Sequence, residues 1–153
     1  MPKVDLDSIA PSNRTGYPPP FDREVAGRWQ RPIAATTGLT EFGVRHVTLE
    51  PGAWSSQRHW HDNEDEYLVM LTGEAVLVED EGRTLLRSGD MVAWPKATGN
   101  GHHLRNESSA ECTFVVFGAG ECTGGGYSDI DMLFTADSEY IRKDGTPYQA
   151  KPA

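Results

Sequence analysis

The chain has 153 residues, with 14 Lys and Arg against 23 Asp and Glu, for a formal net charge of −9. That length suits one domain with a core able to stand without disulfides, and the charge leaves no basic field to gather phosphate backbones or anionic lipid, so nucleic acid and membrane are poor partners. Cys112 and Cys122 lack a CxxC spacing and are too few for a zinc or disulfide framework; they read as reduced thiols, with one bridge between them as the alternative.

No stretch approaches the roughly 20 apolar residues of a membrane span, and none near the start reads as a signal peptide, so a cytoplasmic protein is expected. Residues 1–40, which include "GYPPPFDREVAGRWQRP", are rich in proline and dotted with arginine but show no sustained period. They read as an extended arm lying on the rest of the chain or on a partner subunit, where it would cover a sheet edge. From Glu41 to Phe117 the pattern is short β runs: "FGVRHVTL", "EYLVML", "EAVLVE", "RTLLR", "MVAW" and "CTFVVF". Turn signals at Pro51-Gly52, Thr72-Gly73, Glu81-Gly82, Ser88-Gly89 and Pro95 have the close spacing of an antiparallel sandwich or barrel, and no helix is expected between them. The extension over 119–153 opens on "CTGGGY" and is expected to add one short helix or strand pair.

The segment "RHWHDNEDEYLVMLTGE", residues 58–74, carries the chemistry. Side chains on a strand alternate faces, so His59 and His61 point one way and Trp60 the other. Asp62 to Asp65 has turn composition, which makes Glu66 the start of the next strand, with Leu68 and Met70 on its face and Tyr67, Val69 and Leu71 on the opposite one. Both sets are apolar, which predicts a strand buried on each side. A carboxylate leading such a strand is costly unless its charge is cancelled, and a divalent metal held with the two imidazoles would cancel it. A third imidazole from "GHHLRN", at His102 or His103, would complete such a site; without it, His-x-His pairs also arise by chance.

These positions resemble the two motifs of the cupins, small β-barrel proteins. Gly52, His59, His61, Glu66 and Gly73 match the first motif, with four residues between His61 and Glu66 and six between Glu66 and Gly73. Gly89, Pro95, Gly99, His102 and Asn106 match the second, although the Pro95–Gly99 spacer of three residues is longer than the pattern. The likeness covers residues 41–118, and the whole chain is similar to a bacterial group of small cupins of one barrel each. It implies an all-β fold, an antiparallel jelly-roll barrel (double-stranded β-helix) over 41–118 with the N-terminal arm outside it, and a homodimer.

Carried over residue by residue, the resemblance implies one divalent transition metal (Fe, Mn, Ni, Zn, Co or Cu) on His59, His61, Glu66 and His102, with coordination left open for substrate. Glu64 and Asp65 then become solvated turn residues, and alternation sends His103 outward or behind a ligand. His46 reads as a wall or surface residue, Arg45 as exposed sheet surface, and Trp54, Trp60 and Trp94 as core or interface residues able to stack on a substrate. Such a site fits Lewis-acid isomerase or lyase chemistry on a small oxygenated metabolite, or dioxygenase chemistry with iron. The first needs a general base, for which Glu66, His103 and Tyr67 are the candidates. A non-catalytic module binding a sugar or small acid is the alternative from another class.

Overall fold

The computed structural model describes residues 3–149, so the two ends of the expected arm and extension, residues 1–2 and 150–153, lie outside the described residues. A single 3₁₀ turn at Leu6–Ser8 precedes β1 (Arg28–Pro32), α1 (Ile33–Thr37) and β2 (Gly43–Leu49). The central strands are β3 (His59–His61), β4 (Glu64–Thr72), β5 (Glu74–Glu79), β6 (Gly82–Arg87), β7 (Met91–Trp94), β8 (His103–Arg105) and β9 (Cys112–Gly120). Three further strands, β10 (Gly124–Tyr127), β11 (Leu133–Thr135) and β12 (Tyr140–Ile141), end the chain. All pairings are antiparallel, as the spacing of turn signals predicts.

One wall is a five-stranded sheet in the order β1-β2-β9-β4-β7. The other is a four-stranded sheet, β12-β11-β10-β3, and a three-stranded one, β6-β5-β8. The last two are stitched together where His59 and His102 exchange backbone hydrogen bonds of 3.2 and 2.9 Å. Side chains of one period-2 set from both walls meet between them: Val47 and Leu49 from β2, Leu68 and Met70 from β4, Leu77 from β5, and Leu104 from β8. Burial of these apolar faces is the main force holding the walls together.

Three local features differ from the sequence reading. β4 begins at Glu64, not Glu66, so the turn is only Asp62-Asn63. Its outer face is not buried, since Tyr67 and Leu71 are each 39% exposed while Leu68 and Met70 on the inner face are sealed. Within the first forty residues, Arg28–Pro32 pair with β2 as an edge strand, Ser12 bridges to Gln30, and Ile33–Thr37 form one helical turn.

Gly73 turns β4 into β5 with φ +70°, and a Cβ there would sit 2.7 Å from the Glu111 carbonyl oxygen, so only glycine fits. The triple glycine has another reason. As β10 it lies directly against β3, where a Cβ on Gly125 would collide with the Trp60 carbonyl and the Phe134 ring. A strand without side chains gives no periodic signal, and its role as the neighbour of the histidine strand was therefore hidden.

Both cysteines are free. Cys112 is wholly buried and burial pushes its thiol up to about 11, whereas Cys122 is half-buried. The thiolate is the reactive form, so in the folded protein a thiol reagent at pH 8 is expected to label Cys122 and spare Cys112. Mass spectrometry after labelling checks this. Rapid modification of Cys112, comparable to that in denaturant, would contradict it.

Candidate metal centre

Two neighbours fix β3 in place, β10 on one side and residue 102 on the other, and this sets where its imidazoles point. The Nε2 atoms of His59 and His61 lie 3.2 Å apart. Glu66 Oε2 stands 3.9 Å from the first and 3.4 Å from the second. The ligand atoms of His59, His61 and Glu66 all fall within 4.8 Å of one another, a group able to hold a metal ion. His102 joins through Glu66, its Nε2 donating to Oε2 at 2.7 Å.

The partners behind the rings assign the tautomers. Nδ1–H of His59 faces the Gln57 carbonyl at 3.0 Å and the Ser56 hydroxyl oxygen at 3.1 Å. Nδ1–H of His61 donates to Glu64 Oε2 at 2.9 Å. His59 therefore turns a bare Nε2 lone pair toward His61 Nε2 and the Glu66 carboxylate. Three electron-rich atoms at this distance repel unless a cation or a proton sits among them. Burial drives the His59 imidazole down to about 3, so the ring is neutral at neutral pH and keeps only its Nδ1–H. Burial also works to lower His61, but the hydrogen bond and charge of Glu66, with Glu64 behind Nδ1, outweigh it and the group ends raised. Burial opposes ionisation of Glu66 as well, yet His102 and His61 hold its carboxyl well below the usual range. A divalent cation replaces the proton that Glu66 and Glu64 favour on His61, and the resulting set of imidazoles and one ionised carboxylate suits a transition metal.

The cluster opens into a cavity of about 540 Å³ between the two walls. Trp94 stacks on the His102 ring at 3.9 Å with an interplanar angle of 6°, and its Nε1–H donates to Glu79 at 2.9 Å, which locks the indole and through it the imidazole. Leu68, Phe114 and Val116 form an apolar flank, and Phe134 packs edge-on to His61 at 5.3 Å.

Of the sequence-predicted residues, His59, His61, Glu66 and His102 converge. The two other candidates for a general base do not serve. Tyr67 projects from the opposite face of β4 and its hydroxyl rests on Met91 Sδ at 2.9 Å, away from the cavity. His103 has both ring nitrogens occupied, Nδ1–H donating to the Ser56 carbonyl at 2.9 Å and Nε2 accepting from Arg105 Nε at 3.0 Å. Trp54 packs edge-on to its ring at 4.8 Å. Buried and pushed down to about 4, His103 is a neutral wedge that shapes the Ser55–Gln57 segment behind His59.

Two residues gain roles that the sequence did not suggest. Glu64 is not a solvated turn acid: it lies on the inner face of β4, two residues before Glu66, and orients His61. Turn composition masked it, and the only available signal was its even spacing from Glu66. Asp65 does lie on the outer face, accepting from the Lys96 backbone N–H at 2.8 Å. Arg45 lines the cavity rather than the outer sheet surface, because it shares the inner face of β2 with Val47. His46, one residue on, takes the other face of β2 and stays out of the site.

Comparison with known proteins agrees with this geometry. The Cupin_2 (cupin domain) family matches residues 45–123. A crystal structure described as a sugar phosphate isomerase from the cupin superfamily of Silicibacter pomeroyi is 39% identical, covering 96% of each chain with a TM-score of 0.86. A putative sugar phosphate isomerase from Acidithiobacillus ferrooxidans is 21% identical over 74% of each chain with a TM-score of 0.67. The polyketide cyclase RemF from Streptomyces resistomycificus is 20% identical over 78% of this chain and 79% of that one, with a TM-score of 0.63. These last two share the fold alone. No curated protein sequence matches the chain. The family match over half the chain, and the likeness to the Silicibacter protein over nearly all of it, establish that this chain belongs to the cupins.

Proposed function

We propose that the protein is a metal-dependent isomerase of a small polyhydroxylated metabolite of the sugar phosphate type, with His59, His61 and Glu66 as metal ligands and His102 as the fourth, which would exchange its Nε2 proton on Glu66 for the metal. The observation that carries this reading is the convergence of two imidazole Nε2 atoms, 3.2 Å apart, on an ionised carboxylate that lines the same cavity. The Silicibacter relative supports the choice of isomerase over other cupin chemistries.

A divalent metal at this site, when bound, supplies Lewis-acid polarisation of a carbonyl or hydroxyl oxygen. The chain's own residues do the rest. Glu64, Gln57 and Ser56 hold the two imidazoles in the tautomer that presents Nε2. Trp94 fixes His102. Leu68 and Phe114 exclude water from one flank, which strengthens every electrostatic interaction within. Glu66, ionised and 17% exposed in the cavity, serves as a metal ligand, and its strongly lowered pKa makes it a weak base.

Incubating the metal-loaded protein with aldose and ketose phosphates in deuterated water is expected to exchange the proton beside the carbonyl, with interconversion of the two sugars and no oxygen uptake. Oxygen consumption tied to an iron-loaded form would replace the isomerase with the dioxygenase reading. Saturable binding with neither exchange nor oxidation would leave a binding module.

A further inference from the structure

On its β1-β2 side, separated by β9 from the strand of Glu66, the cavity shares Tyr17, Arg28, Gln30, Arg45 and Tyr140 with a recess of about 390 Å³, which Arg14 also lines. In a chain with a net charge of −9, the recess has three arginines and no Asp or Glu among its lining residues. The acids of the larger cavity, Glu41, Glu64 and Glu66, do not reach it. The register of β1 on β2 explains the clustering. Arg28, Gln30 and Pro32 lie opposite Leu49, Val47 and Arg45, so Arg28 and Arg45 face inward together.

Neither of these two, nor Arg14, forms an ion pair with an acid among the described residues. Arg28 gives one Nη1–H to the Ser55 carbonyl at 2.8 Å, while its buried Nε–H has no partner at all. A buried guanidinium donor left unpaired is costly. Burial lowers the Arg28 pKa, Tyr17 works against that, and the like charge of Arg45 lowers it further. Gathering these cations without an internal counter-ion destabilises the fold slightly and makes sense when the counter-ion arrives with the ligand.

We propose that Arg28, Arg45 and Arg14 form an oxyanion subsite that takes the phosphate monoester of the substrate, on the β1-β2 side of the cavity and distinct from the cluster of His59, His61, Glu66 and His102. This rests on the reading of the cavity as a sugar phosphate site and assigns which residues would recognise the phosphate. Three guanidinium groups around a dianion match phosphate in charge and fork geometry better than they match a carboxylate. Tyr17 is pushed up to about 12 by burial and stays a neutral phenol, which can donate to a phosphate oxygen.

Calorimetric titration with glycerol phosphate, inorganic phosphate and acetate tests the subsite, with metal content measured on the same samples. Both phosphates are expected to bind and acetate to bind more weakly. Arg45→Met, an exposed position whose change does not threaten folding, should weaken glycerol phosphate by at least about tenfold with metal retained, and Arg45→Lys should recover part of it. Arg28→Met should do the same where it folds. His59→Ala should keep phosphate binding while losing metal, which separates the subsite from phosphate on the metal. Unchanged phosphate binding in Arg45→Met, loss of it in His59→Ala, acetate binding as tight as phosphate, or no saturable phosphate binding in the wild type would each overturn the proposal. Phosphate binding that follows the arginines in a protein without metal or turnover would support the subsite while sinking the isomerase.

Discussion

Stripping metal from the protein with a chelator is expected to lower its melting temperature by about 5–10 °C, and His59→Ala is expected to abolish that metal-dependent difference. A ligand that binds only the folded chain stabilises it by about 2.7 kcal/mol at a hundred times its dissociation constant, and for a chain of this size each kcal/mol moves the midpoint by roughly 2–4 °C. The absolute midpoint of the variant is a poor readout, because removing one of two opposed imidazoles also relieves their repulsion in the metal-free state. The difference with and without metal isolates binding. Glu64→Ala gives a graded version: His61 loses the carboxylate that holds its Nδ1–H, and loss of such a partner weakens metal by about 10–100-fold. Scanning calorimetry of the wild type and both variants, with and without added Mn(II), Ni(II) or Zn(II), checks the series. A wild type whose midpoint ignores chelator and metal would contradict it.

Asn106→Leu should be the most damaging substitution outside the site. Asn106 is completely buried, and its amide meets a full set of partners. Nδ2 donates to the Leu49 carbonyl at 2.9 Å and the Ala110 carbonyl at 2.8 Å, and Oδ1 accepts from Ser108 N–H at 3.0 Å and Ser108 O–H at 2.8 Å. One side chain thus ties the end of β2 to the turn between β8 and β9, just beyond the histidine bridge. Leucine matches the volume but takes this partner from the Leu49 carbonyl and the Ser108 N–H, at about 1–3 kcal/mol each, while the exposed Ala110 carbonyl keeps the Ser108 hydroxyl at 2.9 Å. A loss of roughly 3–5 kcal/mol is expected in urea unfolding, with the Ser108 contacts rearranged. A loss near zero would mean that water replaces the amide at no cost.

Alternation in "HWH" paired His59 with His61, and the resemblance to the cupin motifs, through the count from Glu66 to Gly73 and the distances of His102 to Gly99 and Asn106, picked Glu66 and His102 from their neighbours. Those signals survive because strand pleating is a strict period and because turns need glycine at fixed places. What escaped reading lacked a period or carried a misleading one. Glu64 sat inside a run of turn-forming acids, and only the early start of β4 turns it toward His61. Arg28 belongs to a strand that the proline-rich context concealed, Arg45 to a strand that was read but on the outer face, and only their register shows that they face one cavity. The three glycines that open β10 have no side chains to announce which neighbour they serve. Tyr67 and His103 were plausible bases by residue type, yet one faces outward and the other has no free nitrogen.

The central claim is that the cluster at His59, His61, Glu66 and His102 holds a metal, and elemental analysis of protein purified without added metal tests it most directly. The expected result is close to one equivalent of a single transition metal per chain in the wild type, sharply reduced in His59→Ala and in Glu66→Gln, with both variants folded by circular dichroism. Wild-type protein that neither carries metal nor takes it up on addition, or variants that load as fully as the wild type, would contradict the account.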